Sequence, residues 1–359
     1  MEYLPTELIR VLVPATAAFL AGIALTPVLT HYLYAFQAWK KVPGKRALDG
    51  SEASEFNRLH VTHEVRAPRM GGVVIWGSVV FTIMVIAFIA NFFQRAEIFE
   101  LDFLSRSQTW IPLFALMVGA FAGLIDDLLT IRPGGAGIPL RYRLFTVFAL
   151  STFLGWWFWD KLDVVTINIP FADPIFLGFL IVPFFVITAL AVYASGVIDG
   201  IDGLSGGVFA SIFAAYTIIA FAQNQIDLAA FTASIVGGLL AFLWFNIPPA
   251  RFYMSDTGTM AVTLALSTVA FMTDSLGGGV GIFVLPIIGF LLVITVVSNV
   301  LQVIWKKVFG RKLFRIAPLH HHFEAIGWPG YKVTMRYWVL SVVFAFGGVM
   351  IALAAISYL

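Results

Sequence analysis

Ten stretches of almost unbroken apolar residues run along the chain, roughly 16–26 residues each, close to the length a bilayer core requires. They cover 12–36, 71–93, 110–125, 144–159, 175–194, 204–222, 228–247, 257–275, 280–305 and 337–358. The weakest boundary is Gly277-Gly278-Gly279, which reads either as a tight turn between two helices or as a break in one long element. The pattern predicts an all-α, polytopic integral membrane protein with about ten transmembrane helices. No internal repeat, low-complexity tract or linker divides it, so residues 1–359 read as a single integral membrane catalytic domain. In the connection 161–174, the run Val-Val-Thr-Ile-Asn-Ile favours extended backbone and predicts a small hairpin on the outer side.

Composition agrees with the pattern. The chain is 60% hydrophobic and 12% charged over 359 residues, more apolar than an aqueous core can absorb. No cleavable signal peptide is expected, because the first apolar stretch is too long and its basic cluster (Lys40, Lys41, Lys45, Arg46) follows it. With no cysteine, disulfides, thiolate nucleophiles and thiolate-bound metals are excluded. The net charge of +2 says little, but its distribution sets orientation. The connections after segments one, three, five, seven and nine hold 18 of the 22 Lys and Arg residues. By the positive-inside rule those connections are cytoplasmic and both termini lie outside. No nucleic acid is expected as a partner.

The inner connections also collect the polar chemistry. Asp126 and Asp127 end the third segment, where like charge and the helix dipole both disfavour them. Such a pair either awaits a cation or marks the membrane boundary as a solvated pair. Segment five runs into Ser195-Gly196-Val-Ile-Asp199-Gly200-Ile-Asp202-Gly-Leu-Ser-Gly-Gly207, an acidic glycine loop. Its spacing fits neither an EF-hand nor a P-loop, and its plain alternative is a turn with Asp202 as a helix cap. Asn246-Ile-Pro-Pro-Ala-Arg251-Phe-Tyr253-Met-Ser255-Asp256-Thr-Gly carries a third acidic position, with Asp256 also a good N-cap. The last inner connection, 306–336, combines a basic stretch suited to anionic headgroups with Ala317-Pro-Leu-His320-His321-His322-Phe-Glu324. Three consecutive histidines cannot all reach one ion from a helix; they suit donation to phosphate and carbonyl oxygens. Carboxylates without thiolates suit a hard ion such as Mg²⁺. Such an ion beside cations suits phosphoryl transfer at a membrane.

These loops resemble those of the polyprenyl-phosphate N-acetylhexosamine-1-phosphate transferases over nearly the whole chain. Within that superfamily they most resemble the branch with the unbroken histidine run followed by Gly327-Trp328, which serves peptidoglycan synthesis. Asp126-Asp127, Asp199-Gly-Ile-Asp202-Gly-Leu and Asn246 through Asp256-Thr-Gly are shared more widely. The resemblance implies that undecaprenyl phosphate attacks the β-phosphate of UDP-MurNAc-pentapeptide, giving lipid I and UMP. It implies an enzyme of the bacterial inner membrane, a cytoplasmic active site and a homodimer. By matching position, Asp256 is the Mg²⁺ ligand with Asp127 beside it, and Asp126 deprotonates or orients the lipid phosphate. Gly196, Asp199, Gly200, Asp202, Asn246 and Tyr253 fall to the donor's uridine region. His320, His321 and His322 fall to its phosphates and sugar, with His321 in the catalytic set.

Three places depart from that family. Gly196 stands where Asn is usual, and Ser255 where Gly is usual. The first inner connection reads Glu64-Val-Arg66-Ala-Pro68-Arg69-Met-Gly-Gly72 rather than Lys-x-Gly-Thr-Pro-Thr-Met-Gly-Gly. Arg66 and Arg69 are then the candidates for the missing lysine's charge. The Pro-Arg-x-Gly-Gly form is that of sibling enzymes transferring N-acetylglucosamine phosphate, which makes such a sibling the alternative reading. A lipid-linked sugar transporter fits less well, because its polar groups should sit near the bilayer midplane on broken helices.

Overall fold

Backbone polar groups have no water to bond in lipid, so apolar stretches of this length must close their hydrogen bonds internally as helices. The computed structural model shows that outcome. It describes residues 4–41, 67–93, 101–105, 107–135 and 137–357. Arg66 and most of the first inner connection lie outside them.

Twelve α-helices occur among the described residues. They are α1 (Leu4–Ala35), α2 (Val73–Phe93), α3 (Trp110–Thr130), α4 (Leu140–Asp160), α5 (Ile181–Ala194), α6 (Leu204–Ala222), α7 (Ile226–Asn246), α8 (Ser255–Met272), α9 (Gly281–Ile288), α10 (Phe290–Phe309), α11 (Leu319–Ala325) and α12 (Gly330–Ile356). Eight helical stretches are long and apolar enough to cross a membrane. Each of the ten expected segments contains helix, but the fifth opens on strand, α4 and α8 are not among the eight, and the ninth breaks at Gly289 into α9 and α10.

Helix α8 falls short for an instructive reason. It is buried along its whole length except at Asp256, so it faces protein rather than lipid and carries Ser and Thr freely. Their hydroxyls bond back to carbonyls one turn earlier: Thr259 to Ser255, Thr263 to Thr259, Ser267 to Thr263 and Thr268 to Leu264. Helices α3 and α5 pack on α8, while α7 packs with α1, α2 and α6.

Several boundaries differ from the sequence reading. Helix α3 continues past Ile125 to Thr130, so Asp126 and Asp127 lie inside its last two turns rather than at its end. The stretch before α5 is not helical from residue 175. Ala172–Phe176 is a strand paired antiparallel with Thr166–Ile169, the expected hairpin, and a 3₁₀ turn, Gly178–Leu180, leads into α5. The glycine triplet forms a tight turn: a 3₁₀ turn over Ser275–Gly277 followed by Gly278 at φ 61°.

Candidate functional site

At the end where α3 finishes and α8 begins, small residues bring the two helices together. A Cβ on Gly123 would collide with the carbonyl oxygen of Asp256, and one on Gly119 would press on that of Met260. This close approach sets Asp126 and Asp127 against Asp256, and one carboxylate oxygen from each lies within 4.8 Å of the others. The side chains of Asp126 and Asp127 are fully buried, whereas Asp256 keeps 17% exposure.

Two arginines bridge the three carboxylates. Arg69 bonds Asp127 Oδ1 through Nε at 2.8 Å and Asp256 Oδ2 through Nη2 at 3.0 Å. Arg143 pairs with Asp126 Oδ2 at 2.7 Å and Asp256 Oδ1 at 3.1 Å. Burial opposes the Arg69 charge, but Asp127 and Asp256 outweigh it and hold its pKa above the ordinary guanidinium range. Arg69 is aimed by a strip of chain clipped to the loop before α8. Tyr253 N donates to Pro68 O, Gly71 N to Tyr253 O and Gly72 N to Met254 O, at 2.8–3.1 Å.

The three aspartates are bonded differently. Asp127 accepts from Arg69, from the Ser255 and Thr257 hydroxyls at 2.6 Å each, and from Thr257 N at 2.9 Å. Three of these donors crowd Oδ2, whereas Oδ1 takes Arg69. Asp126 accepts Ile138 N at 2.5 Å besides its pair with Arg143. Asp256 is held by the two arginines. It lies in the first turn of α8, whose cap position is Met254 with no side-chain cap bond. The N-cap role is therefore not what occupies it.

The glycine loop continues the network. Asp199 accepts Ser255 N at 2.8 Å and the Ser205 hydroxyl at 2.7 Å. Asp202 accepts Ala250 N at 3.0 Å and so ties down the proline loop; the α6 cap position belongs to Gly203, at φ 76°. Asn246, almost fully buried, joins the same two loops: it accepts Gly203 N at 2.9 Å and donates to Phe252 O at 2.8 Å. Gly196 packs on Thr259, and a side chain on Gly200 would meet the rings of His320 and His321.

The histidines lie on the short helix α11, where the rings of His320 and His321 sit together, 4.3 Å between centroids, beside Gly200. His320 and His321 are buried. His321 Nδ1 meets Glu324 Oε2 at 2.7 Å, a pairing that fixes its ring. His322 turns away and accepts Arg315 N at 3.2 Å; burial and the Arg315 charge lower its pKa. Beyond it, Phe323 stacks on Trp328 at 4.7 Å, and Arg336 lies 4.2 Å above the indole.

Asp126, Asp127, Asp256, Arg69 and Asp199 thus belong to one hydrogen-bonded system, with Asp202, Gly200 and the histidines adjoining it. Arg143 and Thr257 belong to it as well and were not among the residues singled out by sequence, and so does Ser255, which stood out there only as a departure from the family. A signal for Arg143 existed: an arginine just inside an apolar helix cannot face lipid cheaply and needs an inward partner.

The middle of the chain, residues 109–274, matches the glycosyl transferase family 4 profile. That match, on a bundle with eight membrane-length helices and this polar centre, defines the class: a multi-pass membrane enzyme that transfers a phospho-sugar. The chain is 29% identical to a phospho-N-acetylmuramoyl-pentapeptide-transferase of Anoxybacillus flavithermus, over 95% of this chain and 97% of that one. It is 30% identical to the enzyme of that name from a Geobacillus species, over 93% and 95%, and 32% identical to that of Listeria welshimeri, over 77% and 82%. The chain belongs to the phospho-N-acetylmuramoyl-pentapeptide-transferase family and is a bacterial membrane protein.

Proposed function

We propose that this enzyme moves phospho-MurNAc-pentapeptide from UDP-MurNAc-pentapeptide to undecaprenyl phosphate, giving lipid I and UMP for peptidoglycan synthesis. The observation that carries the reading is the convergence of Asp126, Asp127 and Asp256 with Arg69 and Arg143 beside the glycine and histidine loops. The excess of Lys and Arg in connections on this side supports a cytoplasmic site at the inner membrane.

The donor set fits Mg²⁺. Three carboxylates and two guanidiniums leave one negative charge uncompensated, and oxygen donors suit a hard ion. Asp256, the most exposed of the three, would hold the ion. Asp127, the second donor expected from sequence, would offer Oδ1, and Asp126 lies in the same group of carboxylates. Bound there, the ion would neutralise charge developing on the donor's phosphates.

A lipid-phosphate oxygen attacks the donor's β-phosphorus. A new P–O bond forms, the bond from that phosphorus to the bridging oxygen breaks, and UMP leaves with that oxygen. Asp126 orients the lipid phosphate or takes its proton. The arginines hold the aspartates in register, and Asp199, Gly200, Asp202 and Tyr253 frame the uridine end. His320 and His321 meet the phosphates and sugar, with Glu324 fixing the His321 ring.

The test is UMP release by the purified protein, with either substrate or Mg²⁺ omitted in turn. Release should need all three. Arg69 within Pro-Arg-Met-Gly-Gly favours one second reading, a sibling enzyme using UDP-GlcNAc. Assaying both donors side by side decides it, and faster turnover of UDP-GlcNAc would replace the first reading.

A further inference from the structure

Each guanidinium in the site grips one buried aspartate of α3 and the same partly exposed aspartate of α8. The grips are unequal. Toward α3 the contacts are 2.8 Å for Arg69 and 2.7 Å for Arg143; toward Asp256 they are 3.0 and 3.1 Å. The longer contacts end on the only carboxylate of the three with solvent exposure. An ion approaching from water meets Asp256 first, at oxygens already held by guanidinium nitrogens.

We infer that Arg69 and the divalent cation exchange at Asp256, and that this exchange delivers Arg69 to the donor's diphosphate. Arg69 keeps Nε on Asp127, and its Nη2 leaves Asp256 when the ion arrives. The freed arm then points into the site as a phosphate donor. Charge sets the order. Three carboxylates and two guanidiniums sum to −1, and Asp199, joined to them through Ser255, adds to the negative charge that repels a diphosphate; a divalent ion offsets that charge and lowers the repulsion. Arg69 is thereby a positioning residue without the ion and a donor-binding residue with it. It supplies the cation that the Glu64–Gly72 stretch lacks relative to its family. The inference rests on the metal reading above.

The test measures two affinities in wild type, Arg69→Lys and Arg69→Gln: Mn²⁺ by paramagnetic resonance of the free ion, and UDP with and without Mn²⁺. Wild type should bind UDP only with Mn²⁺ present. Lysine keeps the charge, but its three donors sit on one nitrogen, so it lacks the separate Nε and Nη2 arms by which Arg69 can keep Asp127 while releasing Asp256. Arg69→Lys should therefore bind Mn²⁺ about tenfold tighter, and bind UDP in its presence about tenfold more weakly. Arg69→Gln should shift both in the same directions. If Arg69→Lys matches wild type for Mn²⁺ while Arg69→Gln binds it tighter, a distant field effect replaces the exchange. Unchanged UDP affinity in both variants also overturns it. Thermal melts report folding, and Arg69→Lys carries the test should Arg69→Gln fail to fold. A folded wild type that takes no Mn²⁺ sinks the metal reading, and the exchange with it.

Discussion

Helix α8 carries a carboxylate at each end, and the two are held by different kinds of donor. Just past its last turn, Asp274 is fully buried and bonded by backbone: Asn168 N at 2.9 Å and Ile282 N at 3.1 Å. Asn168 also donates its side-chain amide to Gly279 O at 2.8 Å, so the hairpin is clasped to the turn between α8 and α9. At the other end Asp256 is held by side chains, Arg69 and Arg143, and remains in reach of water. Backbone donors cannot leave without unfolding a turn. Arginine nitrogens can leave by rotation of a side chain. One end of α8 is therefore built as a fixed joint and the other as an exchangeable one, and only the second suits turnover.

The contrast can be broken first at Asp127, a fixed carboxylate placed inside the exchangeable end. Asp127→Asn leaves four donors facing an amide, with Arg69 robbed of its buried partner. The expected cost is about 3–5 kcal/mol of stability, as for other severed buried ion pairs. A melting curve in detergent reads it. A variant that melts like wild type would show that Asp127 is not a strut.

Asp256→Asn should separate activity from stability. Its carboxylate meets solvent and side chains only, so the fold should survive while UMP release falls by about 10²–10³-fold. Wild-type turnover in this variant would place the chemistry elsewhere.

Asp274→Asn should do the opposite, costing about 1–3 kcal/mol for a mispaired buried acceptor and leaving turnover per folded molecule intact. Melting temperature and UMP release measured on the same preparation separate the two effects.

These assignments differ in how far the chain announced them. The helices, the hairpin and the acidic positions followed from hydropathy, β-branched residues and lone charges beside lipid. Asp126 and Asp127 were legible because two carboxylates at a helix end conflict with local electrostatics. Their extra helical turn was not, because the stabilising arginines come from 58 and 17 residues away in sequence. Arg143 was counted for orientation only, since nothing local says which carboxylate it meets. Asn246 and Asp202 read as pocket residues, yet both spend hydrogen bonds joining two loops, a role visible only once the loops are adjacent.

The mildest test concerns Ser255, where glycine is usual in the family it resembles. Ser255 has φ 54°, the left-handed region that costs a side-chain-bearing residue about 1–2 kcal/mol. Its hydroxyl donates to Asp127 at 2.6 Å and accepts Met70 N at 2.8 Å, bonds that together offset a strain of that size. Ser255→Gly removes strain and bonds at once, and should change stability by less than about 1 kcal/mol. Ser255→Ala removes only the bonds and should lose about 2 kcal/mol. The gap between the two variants measures the backbone strain alone. A Ser255→Gly variant as damaged as Ser255→Ala would mean that the hydroxyl, rather than the turn, is what this site needs at the position. Asp127 would then depend on Ser255 as closely as on Arg69.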